Sequence, residues 1–98
     1  MHITNDRQQF LSLEHYPARL TTREAAWYLG LSCCDIPILV RASLLKPLGH
    51  SQEHELKFFL RAELECLCRD RLWMTKASNL IAKYRKTRSL RKAKARHK

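Results

Sequence analysis

The spacing of hydrophobic positions changes several times along the chain, and each change predicts an element. Phe10, Leu11 and Leu13 interrupt a polar start, predicting a short helix after Asn5 or Asp6 that packs on a larger body and ends before Pro17. Thr21-Thr22-Arg23-Glu24 has the residue types of a capping box, in which the threonine hydroxyl and the glutamate carboxylate each satisfy a free amide of the other. Ala25, Ala26 and Leu29 then recur at helical spacing, and Gly30 supplies the left-handed residue that stops the helix. Ser32 and Asp35 repeat the capping pattern at once, and Ile36, Leu39 and Val40 give the next helix its inward face. Two short helices so closely spaced leave room only for a tight turn, which is the spacing of a helix-turn-helix.

Helical spacing is lost at Leu44-Leu45-Lys46-Pro47-Leu48-Gly49, as in a short strand. Residues 50–55 are polar, and Leu56-Lys57-Phe58-Phe59 reads as a return strand, so a hairpin is expected here. From Arg61 to Asp70 the spacing is helical again, with Leu64, Leu67 and Cys68 on one face. It continues from Leu72 or Trp73 through Ala77, Leu80, Ile81 and Tyr84, so both a break at Asp70 and one continuous helix remain open. Past Arg88 only Leu90, Ala93 and Ala95 interrupt polar and basic residues, which predicts disorder in the free state. The expected fold is mainly α: a leader (1–19), a winged helix-turn-helix with a small β-hairpin wing (20–70), an amphipathic C-terminal helix (71–88) and a basic disordered tail (89–98).

Charge changes this picture more than composition does. The 45% apolar content is ordinary for a globular chain. The net charge is +10, but residues 1–70 hold eight Lys/Arg and all nine acids, whereas residues 71–98 hold eleven basic residues and no acid. A nearly neutral body therefore carries a cationic end, the pattern that attracts polyanions by releasing their counterions. A solubilising tail without a specific partner has the same composition. No apolar run approaches the roughly 20 residues of a membrane span. The start of the chain has neither the basic nor the apolar region of a signal peptide, so a cytoplasmic protein is expected, associated with the bacterial nucleoid if it binds DNA.

Cys33-Cys34 and Cys66-x-Cys68 do not have zinc-knuckle spacing. Small buried or half-buried reduced thiols are the expectation, with no metal and no cofactor. His50 and His54 read as solvated loop residues. No nucleophile-base set, carboxylate pair or Gly-rich phosphate loop is visible, so no enzymatic activity is expected.

Residues 20–68 resemble the winged helix-turn-helix of the MerR and excisionase group. The matching stretches are Leu20-Thr21-Thr22-Arg23-Glu24-Ala25-Ala26, Leu29-Gly30-Leu31-Ser32 and Phe58-Phe59-Leu60-Arg61-Ala62-Glu63-Leu64-Glu65. The resemblance implies DNA as ligand, a role in transcription regulation or excision in a bacterium or phage, and no catalysis. It departs from that family at the start of the second helix. There the outward positions are Cys33, Cys34, Pro37 and Ile38, and none makes the bidentate contacts by which arginine or asparagine reads a base. Asp35 would repel phosphates unless capping consumes its charge, and Pro37, at the fifth helical position, would remove a donor and bend the helix.

The candidate nucleic-acid contacts are Arg23, Ser32, Arg41, Lys46, Lys57 and Arg61 on the body. On the tail they are Lys83, Arg85, Lys86, Arg88, Arg91, Lys92, Lys94, Arg96 and Lys98. Trp27, Cys33, Cys34, Pro37 and Ile38 form a mostly uncharged surface suited to a protein partner. Trp27 and Tyr28 are equally explained as covers for the core beneath the leader or the last helix. Trp73 and Tyr84 lie three helical turns apart and share a stripe, either core or the seam of a homodimer through the C-terminal helix. The leading expectation is a small DNA-binding protein whose affinity is mainly electrostatic and whose base readout is weak. A protein-interaction module on a degenerate helix-turn-helix scaffold and an RNA- or ribosome-associated protein are the alternatives.

Overall fold

The computed structural model describes residues 6–49 and 56–96. Its elements are α1 (Asp6–Leu11), β1 (Arg19–Thr21), α2 (Thr22–Leu29), α3 (Asp35–Arg41), β2 (Phe58–Leu60), α4 (Arg61–Cys68) and α5 (Arg71–Arg96). The architecture is mainly helical with one small antiparallel sheet.

That sheet ties the two halves of the body together. β1 pairs with β2 so that Leu20 lies opposite Phe59, at 0% and 1% exposure. Both side chains enter the centre of the core. The Arg61 amide donates to the Ala18 carbonyl at 2.8 Å, extending the ladder into the start of α4. On the outer face the Arg19 guanidinium lies 4.0 Å from the centre of the Phe58 ring, a cation–π contact that covers an otherwise open edge.

The expected hairpin is corrected. Residues 44–49 form no strand, and the return strand pairs with β1 rather than with them. The cause lies at the end of α3. Ser43 takes a left-handed φ of 62°, and the amides of Leu44 and Leu45 both turn back to the Leu39 carbonyl at 2.9 and 3.2 Å. Those residues close a helix terminus and are not free to form a ladder, and Pro47 has no amide to give. A backbone bond joins the two segments among the described residues, from the Leu48 amide to the Phe58 carbonyl at 2.8 Å. The expected loop at 50–55, with His50 and His54, lies outside the described residues.

The capping box at α2 is complete. The Glu24 amide donates to Thr21 Oγ1 at 3.2 Å, and the Thr21 amide donates to Glu24 Oε1 at 2.9 Å. Gly30 at φ 76° ends the helix, and the Leu31 amide reaches the Ala26 carbonyl at 2.8 Å. At α3 the second capping pattern is half formed. The Ser32 amide donates to Asp35 Oδ2 at 3.0 Å, but Ser32 Oγ accepts from the Cys34 amide instead of from Asp35. The helix consequently starts at Asp35, and Pro37 is its third residue rather than its fifth. In the first turn no donor is required of it, so the expected bend does not arise.

α4 and α5 are two helices. Asp70 separates them, its Oδ1 accepting from the Trp73 amide at 3.1 Å as an N-cap. Trp73, Ala77 and Ile81 are buried against the body, and the Trp73 indole donates to the Leu44 carbonyl at 2.9 Å. Tyr84, on the same stripe, is 42% exposed. The first turns of the stripe are thus core and not a seam. The helix runs to Arg96, past Arg88, where a disordered tail was expected. Leucine, alanine, lysine and arginine are all good helix formers, and cations are favourable near a helix C-terminus.

The leader packs as expected through Phe10, which lies 4.9 Å from the Tyr16 ring and 5.7 Å from that of Trp27. Tyr16 meets Tyr28 edge-on at 5.3 Å. Trp27 and Tyr28 therefore cover the core beneath the leader. Leu11 and Leu13 do not join them and remain exposed.

Phe59→Ala empties the position at which the sheet, α2 and α4 meet. It is expected to lower the unfolding free energy by about 3–4 kcal/mol. Thr21→Ala, which removes half a capping box, is expected to cost about 1 kcal/mol. Urea titrations followed by the fluorescence of Trp27 and Trp73 measure both, and a larger loss from Thr21→Ala would contradict this ordering.

Candidate nucleic-acid interface

The expected contact residues fall into two regions with different electrostatics. On the body, Arg23 is exposed in the first turn of α2, Arg41 at the end of α3 and Lys46 in the segment after it. Lys57 is half-buried just before β2. Arg61 opens α4, and its charge is already shared: its guanidinium lies 3.4 Å from Glu65, which is also 3.8 Å from Arg69. Burial first, and then the neighbouring Cys68 and Glu65, raise the Tyr28 hydroxyl above the ordinary tyrosine value, while Arg61 hydrogen-bonds it and acts the other way. At this corner two guanidinium groups share one carboxylate, so their charge is partly compensated within the body.

A shallow depression at the α2–α3 turn gathers Arg23, Trp27, Ser32 and Cys33 with Arg7 of α1. Arg7 was not among the expected residues. Only the folding of the leader over α2 brings it there, and no local pattern signals that.

The turn ahead of α3 and the helix's outward face carry Cys33, Cys34 and Pro37 exposed, with Ile38 half-buried. α5 leaves them accessible, and Arg41 is the only cation on this helix. The four cysteines are all exposed and unbridged, which corrects the expectation of buried or half-buried thiols. Cys33 and Cys34 fall in the turn ahead of α3. Cys68, placed with Leu64 and Leu67 by spacing, is the exposed last residue of α4, with its thiol donating to the Glu65 carbonyl at 3.1 Å.

Asp35 occupies the position at which a negative charge would oppose a phosphate, and its charge is consumed. The residue is 3% exposed, and besides the Ser32 amide its two carboxylate oxygens take the Arg85 guanidinium at 2.9 and 3.1 Å. Arg85, expected as a phosphate contact, is in the first place the partner that neutralises Asp35 and holds α5 against the start of α3. Nothing in the local sequence announces a pair fifty residues apart.

The second region is α5 beyond Ile81. Residues 82–90 are all exposed, among them Lys83, Lys86 and Arg88. Arg91, Lys92, Lys94 and Arg96 continue the same helix, and Lys98 lies outside the described residues. The basic residues that sequence counts as a tail therefore stand on a helical arm about 22 Å long from residue 82 to residue 96. The longest dimension, 51 Å, and a radius of gyration of 15.6 Å fit such an arm. A compact chain of this length would have a radius near 13 Å. Among the described residues no group of three or more His, Cys, Asp or Glu is placed to hold a metal ion, and no helix is long and apolar enough to cross a membrane.

Comparison with protein-family models, characterised proteins and solved structures finds no match to this chain.

Asp35→Ala removes the acceptor of the Ser32 amide together with the charge pair and is expected to lower stability by about 2–3 kcal/mol. Arg85→Gln, at a side chain 63% exposed, is expected to cost about 1 kcal/mol. Chemical denaturation of both variants checks the order; a greater loss from Arg85→Gln would place the main stabilisation in the ion pair and not in the turn.

Proposed function

We propose that this is a small DNA-binding protein in which α5 supplies most of the affinity and the body sets orientation. The observation that carries the reading is the helical arm: every residue from 82 to 90 is exposed, and the segment holds cations and no acid. Each phosphate neutralised by such an arm contributes about 0.9 to the salt slope of binding.

The body supports the reading in a coarser way. α2, the turn and α3, followed by a strand returning beside β1, have the element order of a winged helix-turn-helix of MerR and excisionase type. A backbone bond from the Leu48 amide to the Phe58 carbonyl puts the segment after α3 beside β2, where such a wing would lie. On this reading α3 lies near the duplex, with Arg41 and Arg23 as phosphate contacts, and base readout is weak because Cys33, Cys34, Pro37 and Ile38 offer no bidentate donors. A role in transcription regulation or excision belongs to the same proposal. The uncharged outer face of α3 favours a second reading, in which a protein partner docks there.

Replacing Lys83, Lys86, Arg88, Arg91, Lys92 and Lys94 by glutamine in the full chain is expected to weaken duplex-DNA binding at low salt by about a hundredfold or more. The slope of log K against log salt should become shallower by about 5. Fluorescence anisotropy from 50 to 200 mM salt measures both, and unchanged affinity would refute the proposal. Ile38→Asp, which removes no cation but places an acid one turn from Arg41, is expected to weaken DNA binding far less than the glutamine set does, by a few-fold at most; a loss as large as that set's would put α3 itself in the groove.

A further inference from the structure

We infer that the arm of α5 enters the major groove of duplex DNA as a helix, aimed from the body by the Arg85–Asp35 pair. This rests on the DNA-binding reading above and adds to it which element enters which groove.

Three observations converge. The first is how the charge is distributed around the axis. At 100° per residue, Lys83, Lys86, Arg85 and Arg88 fall in four different quadrants of the helix. Arg85 faces the body and is held there, while Lys83, Lys86 and Arg88 are exposed on the other sides. A helix lying on a flat anionic surface such as a lipid headgroup layer needs cations on one side and apolar residues on the other. A helix inside a groove has phosphates along both walls, and cations all round it meet both.

The second observation is size. A bare helix with its side chains is about 10–12 Å across, and the B-form major groove is about 12 Å wide. The corresponding groove of duplex RNA is deep and too narrow to admit it. Beyond Arg85, whose guanidinium meets Asp35 of the body, residues 86–90 are all exposed, and the arm there has the width of a bare helix.

The third is direction. Ile81 is the last buried residue of α5, and Arg85, one turn on, makes its bonds to Asp35 at the first residue of α3. The arm therefore leaves the body beside the start of α3, next to Pro37 and the turn that carries Cys33 and Cys34. A duplex lying along the arm meets that surface without being read by it.

The test separates helix insertion from simple polycation attraction. The variant Thr87→Pro/Ala93→Pro keeps every charge in the chain and breaks the arm as a helix. Far-UV circular dichroism should show loss of the arm's helix alone, with the fluorescence of Trp27 and Trp73 in the body unchanged; Thr87→Ala is the control that retains it. Wild-type protein is expected to bind a 20-bp DNA duplex at least about tenfold more tightly than an RNA duplex of the same sequence. The proline variant should lose about tenfold or more on DNA while binding heparin within about twofold of wild type. Guanine N7, which lies in the major groove, should be protected from dimethyl sulfate by wild type and by Thr87→Ala but not by the proline variant. Undiminished DNA affinity in the proline variant, equal binding of the RNA duplex, or unprotected N7 overturns the inference and leaves a polycationic arm in place. Loss of the DNA-binding reading itself shows separately, as indifference of binding to the glutamine substitutions.

Discussion

A carboxylate removed from water has to be neutralised where it stands, and at Asp35 that requirement organises the molecule. The Ser32 amide and the Arg85 guanidinium satisfy it from opposite directions in sequence. The first bond closes the turn between α2 and α3 and sets the residue at which α3 starts. The second fixes how α5 lies across that start. With Arg85 63% exposed and Asp35 5%, the charge pair is solvated at one end and protected at the other. That geometry holds a long helix in place without the full desolvation of both ions. Removing either group would leave the turn, the start of α3 and the course of α5 less well defined together.

The rest of the body follows from closing a small core around two short strands. Leu20 and Phe59 occupy its centre only because β1 and β2 come together from positions far apart in sequence. α2, α3 and α4 cover that pair from different sides with Ala25, Ile36, Leu39 and Leu64. Two further seals are aromatic. On one side Phe10 and Tyr16 of the leader lie over Trp27 and Tyr28. On the other, Trp73 fills the gap behind α3 and donates its indole proton to the Leu44 carbonyl, a group left over where that helix ends. Aromatic residues placed at positions that read as half-exposed are thus consumed by the fold. Trp73 is thereby taken up by the core rather than by a seam, while Trp27 keeps part of its surface in the depression beside Arg23 and Ser32.

Local chemistry was legible and distant pairing was not. The capping box at Thr21 and Glu24 and the glycine stop at Gly30 depend on neighbours within a few residues, and both stand as read. The helical stripe through Trp73, Ala77 and Ile81 was visible for the same reason. β1 was invisible because three residues are too few to show alternation, and its partner lies across the body. The hairpin reading failed because Leu44 and Leu45, apolar and next to proline, look like strand residues while their amides serve the end of α3. Ser32 and Asp35 match a capping box by type, yet the serine hydroxyl chose the nearer Cys34 amide and the helix began later. In the candidate interface the cations themselves were easy to list. Which of them are occupied was hidden, since Arg85 and Arg61 have carboxylate partners whose relation to them appears only when the helices are assembled.

The same charge that attracts a polyanion works against the arm that carries it. Lys83 with Lys86, and Arg85 with Arg88, are like charges three residues apart, each pair unfavourable by about 0.2–0.5 kcal/mol in an isolated helix. A free helix of this length would also face the nucleation penalty that keeps short helices marginal in water. In the intact chain the arm does not nucleate; it extends a helix already started at Asp70 and anchored through Trp73, Ala77, Ile81 and Arg85. Each added turn then needs only propagation, which lysine, arginine, leucine and alanine favour. A polyanion laid beside it turns the remaining repulsion into attraction, so order in the arm and affinity for phosphate rise together.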